Sequence, residues 1–218
     1  MPRCGGSSVR WSIMRAGYEY KFSCEHAHID SLPLKYKNIP TVGFIRSPID
    51  WYLSWYYFLK TKRNNRAGCF ILSVLSDNYD LPFEYTLPRM LDMGGFLKDN
   101  PQYIERIKEK FKMVMMNHYL CWLNTYFDDI SEVTYSDFEG SLFNWYYKKV
   151  GLHQCKEIYR MEDGLQNGID RAFPDKNIVM NHQNQSNKPI VDHIYTDELK
   201  QMVINTDKEY FIKHGYTF

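Results

Sequence analysis

The chain has 218 residues, enough for one well-cored domain with a helical insertion and tight for two. Its 44% apolar and 24% charged content is that of an ordinary globular protein and excludes a disordered or fibrous chain. A formal net charge of +1 gives no overall attraction to nucleic acid or to a membrane surface, so any anion site must be local.

The aromatic share of 17%, with 18 Tyr, reads first as core and helix–helix packing and second as a stacking surface for sugars or bases. Cys4, Cys24, Cys69, Cys121 and Cys155 are scattered without a C-x-x-C pair, which suits free thiols in a reducing compartment and not a disulfide frame or zinc site. No stretch approaches the roughly 18 consecutive apolar residues of a membrane span, and an uninterrupted apolar signal core is missing near the start. The expectation is a soluble, cytoplasmic protein without a membrane span. Asn184-Gln185-Ser186 fits a glycosylation acceptor, read as coincidence in the absence of a secretory signal.

In chain order, "CGGSS" is followed by Val9, Arg10, Trp11, Ile13 and Met14, which suggest a short helix opening directly from the glycines. "YEYKFSCEHAH" (18–28) alternates as a strand would, with Phe22, Cys24, His26 and His28 on one face. "IPTVGFI" (39–45) is the short, nearly continuous apolar run of a buried parallel strand. It ends at Arg46. Ser47 then suits an N-cap, Pro48 the first helical position and Asp50 a capping box, and Ile49, Tyr52, Leu53, Tyr56 and Leu59 repeat at helical spacing.

Short helices are predicted over 66–76 and 84–98, and one or two longer ones over 101–127. Strands are predicted at 131–135 and 156–161, with helices at 137–150 and 162–172. The polar, turn-rich segment 173–190 reads as an exposed loop, and a helix over 196–214 precedes the tail "GYTF". Alternating strands and helices imply an α/β fold in a single domain over 1–218, with a short central parallel sheet flanked by helices.

Two stretches carry chemistry. Gly5 and Gly6 allow a tight turn, the helix behind them adds a positive dipole end, Ser7 and Ser8 add hydroxyls, and Arg3 adds charge, together suiting a phosphate or sulfate. Taken alone this reads equally as flexible linker, and the Lys of a nucleotide-triphosphate loop is absent. Arg46 falls at the C-terminal edge of a predicted strand, where ligands bind in open α/β sheets, and Ser54 lies two helical turns beyond Ser47. Arg plus a helix-borne Ser makes a phosphate clamp, although the isolated pair reads first as structural, with Arg46 capping the strand and Ser54 facing a neighbouring helix.

The combination "PRCGGSS" and "IRSPIDWYLSWYYF" resembles the sulfotransferases that use 3′-phosphoadenosine-5′-phosphosulfate (PAPS), most closely their carbohydrate branch. That branch carries Pro-Lys-x-Gly-Gly-Thr-Ser/Thr, then Arg-Asp/Ser-Pro with a Ser after five further residues. "IYRMED" is similar to its strand with Arg and Glu, and the ending from "NHQNQSNKPI" to "GYTF" is similar to its Asn/Ser/Lys loop, helix and Gly-Tyr-x-Phe.

The resemblance implies a P-loop-like three-layer fold and sulfuryl transfer to a hydroxyl acceptor, with a carbohydrate as the expected partner. The Cys4–Ser8 loop would hold the 5′-phosphosulfate through the amides of Gly5, Gly6, Ser7 and Ser8. Arg3 would stand where the family has the Lys that neutralises the bridging oxygen. Arg46 and Ser54 would grip the 3′-phosphate, and Ser186 and Lys188 would close over the cofactor. His26, and after it His28, would take the acceptor proton, since imidazole titrates near neutrality. No metal is implied, and Glu162 is read as a structural pairing residue. Two departures stand out: Arg3 and Cys4 replace Lys and a hydroxyl residue, and the strand that ordinarily precedes such a loop is missing or truncated before Pro2. The alternatives are a non-catalytic anion-binding member of the same fold and a nucleotide kinase.

Overall fold

The computed structural model describes residues 4, 6–18, 29–31, 33–36, 38–62, 70–116, 127, 129–181 and 194–217. Among them β1 (Val42–Ile45) and β2 (Glu157–Arg160) form a parallel pair, with Val42 opposite Glu157 and Ile45 opposite Arg160. Parallel strands require a long crossover, and the segment between them carries most of the helices. Gly43 and Phe44 point to opposite faces of β1. A Cβ on Gly43 would lie 2.4 Å from Leu152 Cδ2, so that segment covers one face at a distance only glycine permits. On the other face α8 (Leu165–Ala172) sits equally close: a Cβ on Gly168 would lie 2.7 Å from Phe44 Cε1 and 3.1 Å from Tyr159 Cβ.

The rest is mostly helical. α1 spans Gly6–Arg15, and α2 (Pro48–Lys62) starts on its proline, whose missing N–H costs nothing at that position. Trp51, Tyr52, Leu53, Trp55 and Tyr56 are all buried, so α2 is wrapped on every side. Its aromatic face meets α7 (Leu142–Lys149), with Trp51 edge-on to Phe143 at 5.2 Å and to Tyr146 at 5.8 Å. Tyr56 meets Phe83 of α4 (Phe83–Leu91) at 5.4 Å. These contacts match the packing role expected of the aromatic excess.

Between α2 and α7 lie α3 (Phe70–Leu75), α4, α5 (Met93–Asp99) and α6 (Gln102–Met116). Asp77, Asn78 and Tyr79 all adopt positive φ (49°, 62° and 69°) in the turn after α3, a costly run for non-glycine residues. Arg89 and Arg106 each reach the Asp77 carboxylate at 2.8 Å, and Tyr103 donates to it at 3.1 Å. Burial raises that carboxyl's pKa, but these donors win and hold it below its ordinary value.

α9 (Asp197–Thr206) and α10 (Lys208–His214) replace the single helix predicted over 196–214. The break is at Asp207, 1% exposed, whose carboxylate accepts from Tyr52 Oη at 2.8 Å and Ser141 Oγ at 2.6 Å. Tyr52 Oη also accepts the Phe143 N–H at 3.3 Å, so the network ties α2, α7 and the C-terminal helices together. Burial pushes Asp207 up to about 6, although both hydroxyls act against the rise.

The strand predicted at 131–135 is corrected. Ile130–Glu132 and Tyr135–Phe138 are single 3₁₀ turns, because Asp129 caps the first through Ser131 and Thr134 with Asp137 forms a capping box on the second. The strand expected over 39–45 is confined to Val42–Ile45, with Ile39 and Pro40 exposed. The helices expected over 137–150 and 162–172 shorten to α7 and α8. The predicted strand at 18–28 lies outside the described residues beyond Tyr18. Among the described residues no helix is long and apolar enough to cross a membrane.

Candidate functional site

β1 and β2 run in the same direction, so both deliver their C-terminal ends to one edge of the sheet. β1 leaves through Arg46 and Ser47 into α2, and β2 leaves through the 3₁₀ turn Met161–Asp163 toward α8. Cys4 is at this same edge. Its thiol is 1% exposed, and burial pushes its pKa up. The charge and the main-chain N–H of Arg46 act in the opposite direction, while the Glu162 carboxylate adds to the rise. The protonated thiol is therefore not a nucleophile but a packed marker of where the glycine loop begins. α1 opens at Gly6, two residues later, so its positive dipole end lies beside the Arg46 turn.

Glu162 joins three segments at this corner. Its Oε1 accepts the main-chain N–H of Ser47 at 2.8 Å, and its Oε2 accepts the Tyr216 hydroxyl at 3.1 Å. The capping-box expectation assigns the Ser47 N–H to Asp50, three residues on in the first turn of α2. The structure instead engages a carboxylate 115 residues away. Burial raises the Tyr216 pKa, and the Glu162 charge and hydrogen bond raise it further, so the phenol keeps its proton and donates.

Arg160 secures the tail that carries Tyr216. Its Nε and Nη2 grip Asp163 at 2.8 and 2.5 Å, and its Nη1 donates to Gly215 O at 2.5 Å and His214 O at 3.4 Å. Its guanidinium also lies 5.5 Å from the centre of the Tyr216 ring. Gly215 makes the required turn after α10 with φ 65°, in the left-handed region where a side chain would be strained.

The late loop starts close by. Ser12 Oγ in α1 donates to Ser8 O at 2.8 Å and accepts the Asn181 N–H at 2.7 Å. Gln166 of α8 holds the same stem, donating to Ile178 O at 2.9 Å and accepting from the Met180 N–H at 2.8 Å. The chain leading toward Ser186 is thus anchored on the helix that opens from the glycines.

Of the residues picked from sequence, the structure brings together Cys4, Gly6 with the first turn of α1, and Arg46. Ser7 lies in that first turn, and Ser8 is buried at 4% exposure. Ser54 is on α2 but exposes no surface, being enclosed in the aromatic core. Arg3, Gly5, His26, His28, Ser186 and Lys188 lie outside the described residues. His214 is half-buried, and burial, with Lys213, lowers its pKa to about 4, so it is neutral near pH 7. Its Nε2 and the Tyr147 hydroxyl are buried without a hydrogen-bond partner among the described residues. Tyr216 and the Glu162–Ser47 bond were missed by the functional reading, for which "RMED" and "GYTF" were only parts of a family-like pattern. Among the described residues no cluster of three or more His, Cys, Asp or Glu is arranged to hold a metal ion.

Comparison with known proteins gives no match to a family model, a curated protein or a solved structure.

Proposed function

We propose that the protein is a P-loop-like sulfotransferase that moves the sulfuryl group of PAPS to a hydroxyl on a carbohydrate. The observation that carries the reading is the convergence of Cys4 and Arg46 at the C-terminal edge of a parallel sheet, with α1 opening at Gly6, two residues after Cys4. One end of an adenosine bis-anion would rest on the Gly5–Ser8 loop and the other on the Arg46 guanidinium. Ser54 would join Arg46 only where the ligand reaches the base of α2, since its hydroxyl lies within the core.

Sulfuryl transfer is an in-line displacement in which the acceptor oxygen attacks sulfur as the bond to the bridging phosphate oxygen breaks. By analogy with phosphoryl transfer, the protein's share is positioning and stabilising the leaving charge. Arg3 would meet that charge, His26 or His28 would take the acceptor proton, and the stem anchored by Ser12 and Gln166 would bring Ser186 and Lys188 over the cofactor. The second reading, a non-catalytic binder of the same ligand, is favoured by Arg3, whose planar fork is aimed less freely than a Lys ammonium. Incubation with sulfur-labelled PAPS and a panel of glycans separates the two. Label on a glycan supports the transferase, whereas binding of adenosine 3′,5′-bisphosphate without label transfer supports the binder. A preference for Mg-ATP over the bisphosphate overturns both in favour of a kinase.

A further inference from the structure

We propose that Tyr216, acting through Glu162, is a positioning residue that sets the Arg46–Ser47 turn for an anion at the 3′ position of the nucleotide. This rests on the function proposed above. The turn itself is short, and its main-chain N–H at Ser47 has its carboxylate partner in the 3₁₀ turn that follows β2. That carboxylate is on an exposed residue, which free in water would sample several rotamers. What restricts it is the second bond, from Tyr216 Oη to the other oxygen at 3.1 Å. Tyr216 is in turn held from three sides: the Arg160 guanidinium over its ring, the Phe211 ring at 6.1 Å, and the Arg160 bond to Gly215 O immediately before it.

The order of support is therefore tail to phenol, phenol to carboxylate, carboxylate to turn. A hydroxyl in the segment after α10 fixes a loop more than 150 positions earlier. The bonds lie at the surface, where they contribute little to global stability, so their consequence falls on the geometry of the turn. Glu162 also opposes any looser approach of the anion: its negative charge stands next to Arg46 and is tolerable to a phosphate only while both its oxygens stay committed to donors.

The test compares calorimetric affinities for adenosine 3′,5′-bisphosphate and adenosine 5′-monophosphate in the wild type and in Tyr216→Phe, which keeps the ring. In the wild type the bisphosphate binds more tightly. In Tyr216→Phe its affinity falls about tenfold while that for the monophosphate stays within about twofold. A variant that retains the wild-type ratio of the two affinities overturns the positioning role. Equal loss of both ligands also overturns it, assigning the pair to general integrity, which thermal unfolding of the same samples registers independently. A wild type indifferent to the 3′-phosphate removes the proposed function itself, a result the variant cannot produce.

Discussion

Two carboxylates in this molecule are held by the same kind of partners in opposite surroundings. Asp207 accepts a tyrosine hydroxyl and a serine hydroxyl inside the core, and Glu162 accepts a tyrosine hydroxyl and a serine main-chain N–H at the open edge of the sheet. The first is 1% exposed and locks α2, α7 and the C-terminal helices to one another. The second ties together three segments distant in sequence, on an exposed residue. Burial makes the Asp207 bonds matter for folding, because a broken one strands a polar group without water. Exposure makes the Glu162 bonds nearly neutral for folding, because water would replace them. What they specify is the relative placement of Cys4, Arg46 and Tyr216, and placement is what a ligand site requires.

The largest effect should come from breaking the core side of this contrast. Phe143→Ala removes a fully buried ring packed on Trp51, and is expected to cost about 3–5 kcal/mol in urea unfolding. The bisphosphate affinity of the molecules that remain folded should not change. Next is the pH dependence of Asp207. Its folded pKa, raised to about 6 from 3.8, favours the protonated folded state, so its contribution to stability is present below pH 4 and lost as pH rises through 6. The gap corresponds to about 3 kcal/mol. His214, lowered to about 4 from 6.5, acts with the opposite sign, losing stability as pH falls from 6.5. The two offset each other in the wild type. The contrast with Asp207→Asn isolates the first: on acidification from pH 7 to pH 4 the wild type should gain about 2 kcal/mol relative to the variant.

On the exposed side, Arg46→Ala should weaken adenosine 3′,5′-bisphosphate by about 30- to 100-fold through loss of charge-assisted hydrogen bonds, with little change in melting temperature. If stability fell instead and affinity held, the two regions would not differ as described. The smallest effect is expected at the platform beneath the site. Gly168→Ala forces a methyl against Phe44 and Tyr159 and should cost about 1–2 kcal/mol as α8 lifts from the sheet. The stem held by Gln166 would loosen with it.

The strand–turn–helix from Val42 into α2 was legible because its signals are local: an apolar run, a proline at the first helical position and apolar residues at helical spacing. The opening of α1 from the glycines was legible for the same reason. The break at Asp207 was not, because nothing in "VINTDKEYF" announces it. It follows from Tyr52 and Ser141, 155 and 66 residues away. The strand expected at "SEVTY" failed because the β propensity of Val, Thr and Tyr was outweighed by two side-chain caps, Asp129 and Thr134. In the proposed site, Arg46 and the glycines are candidates that residue type and spacing alone could offer. Glu162 was legible as a pairing residue, but its partners Ser47 and Tyr216 were not, because only folding brings them to it.

The central claim is that one nucleotide bridges the glycine loop and the Arg46 turn. Phosphorus NMR of adenosine 3′,5′-bisphosphate observes both ends of that ligand separately. Adding the wild-type protein should shift both resonances, and with Arg46→Ala the 3′ signal should return to its free position while the 5′ signal stays displaced. A 3′ resonance that never moves, or that moves equally without Arg46, would contradict the account.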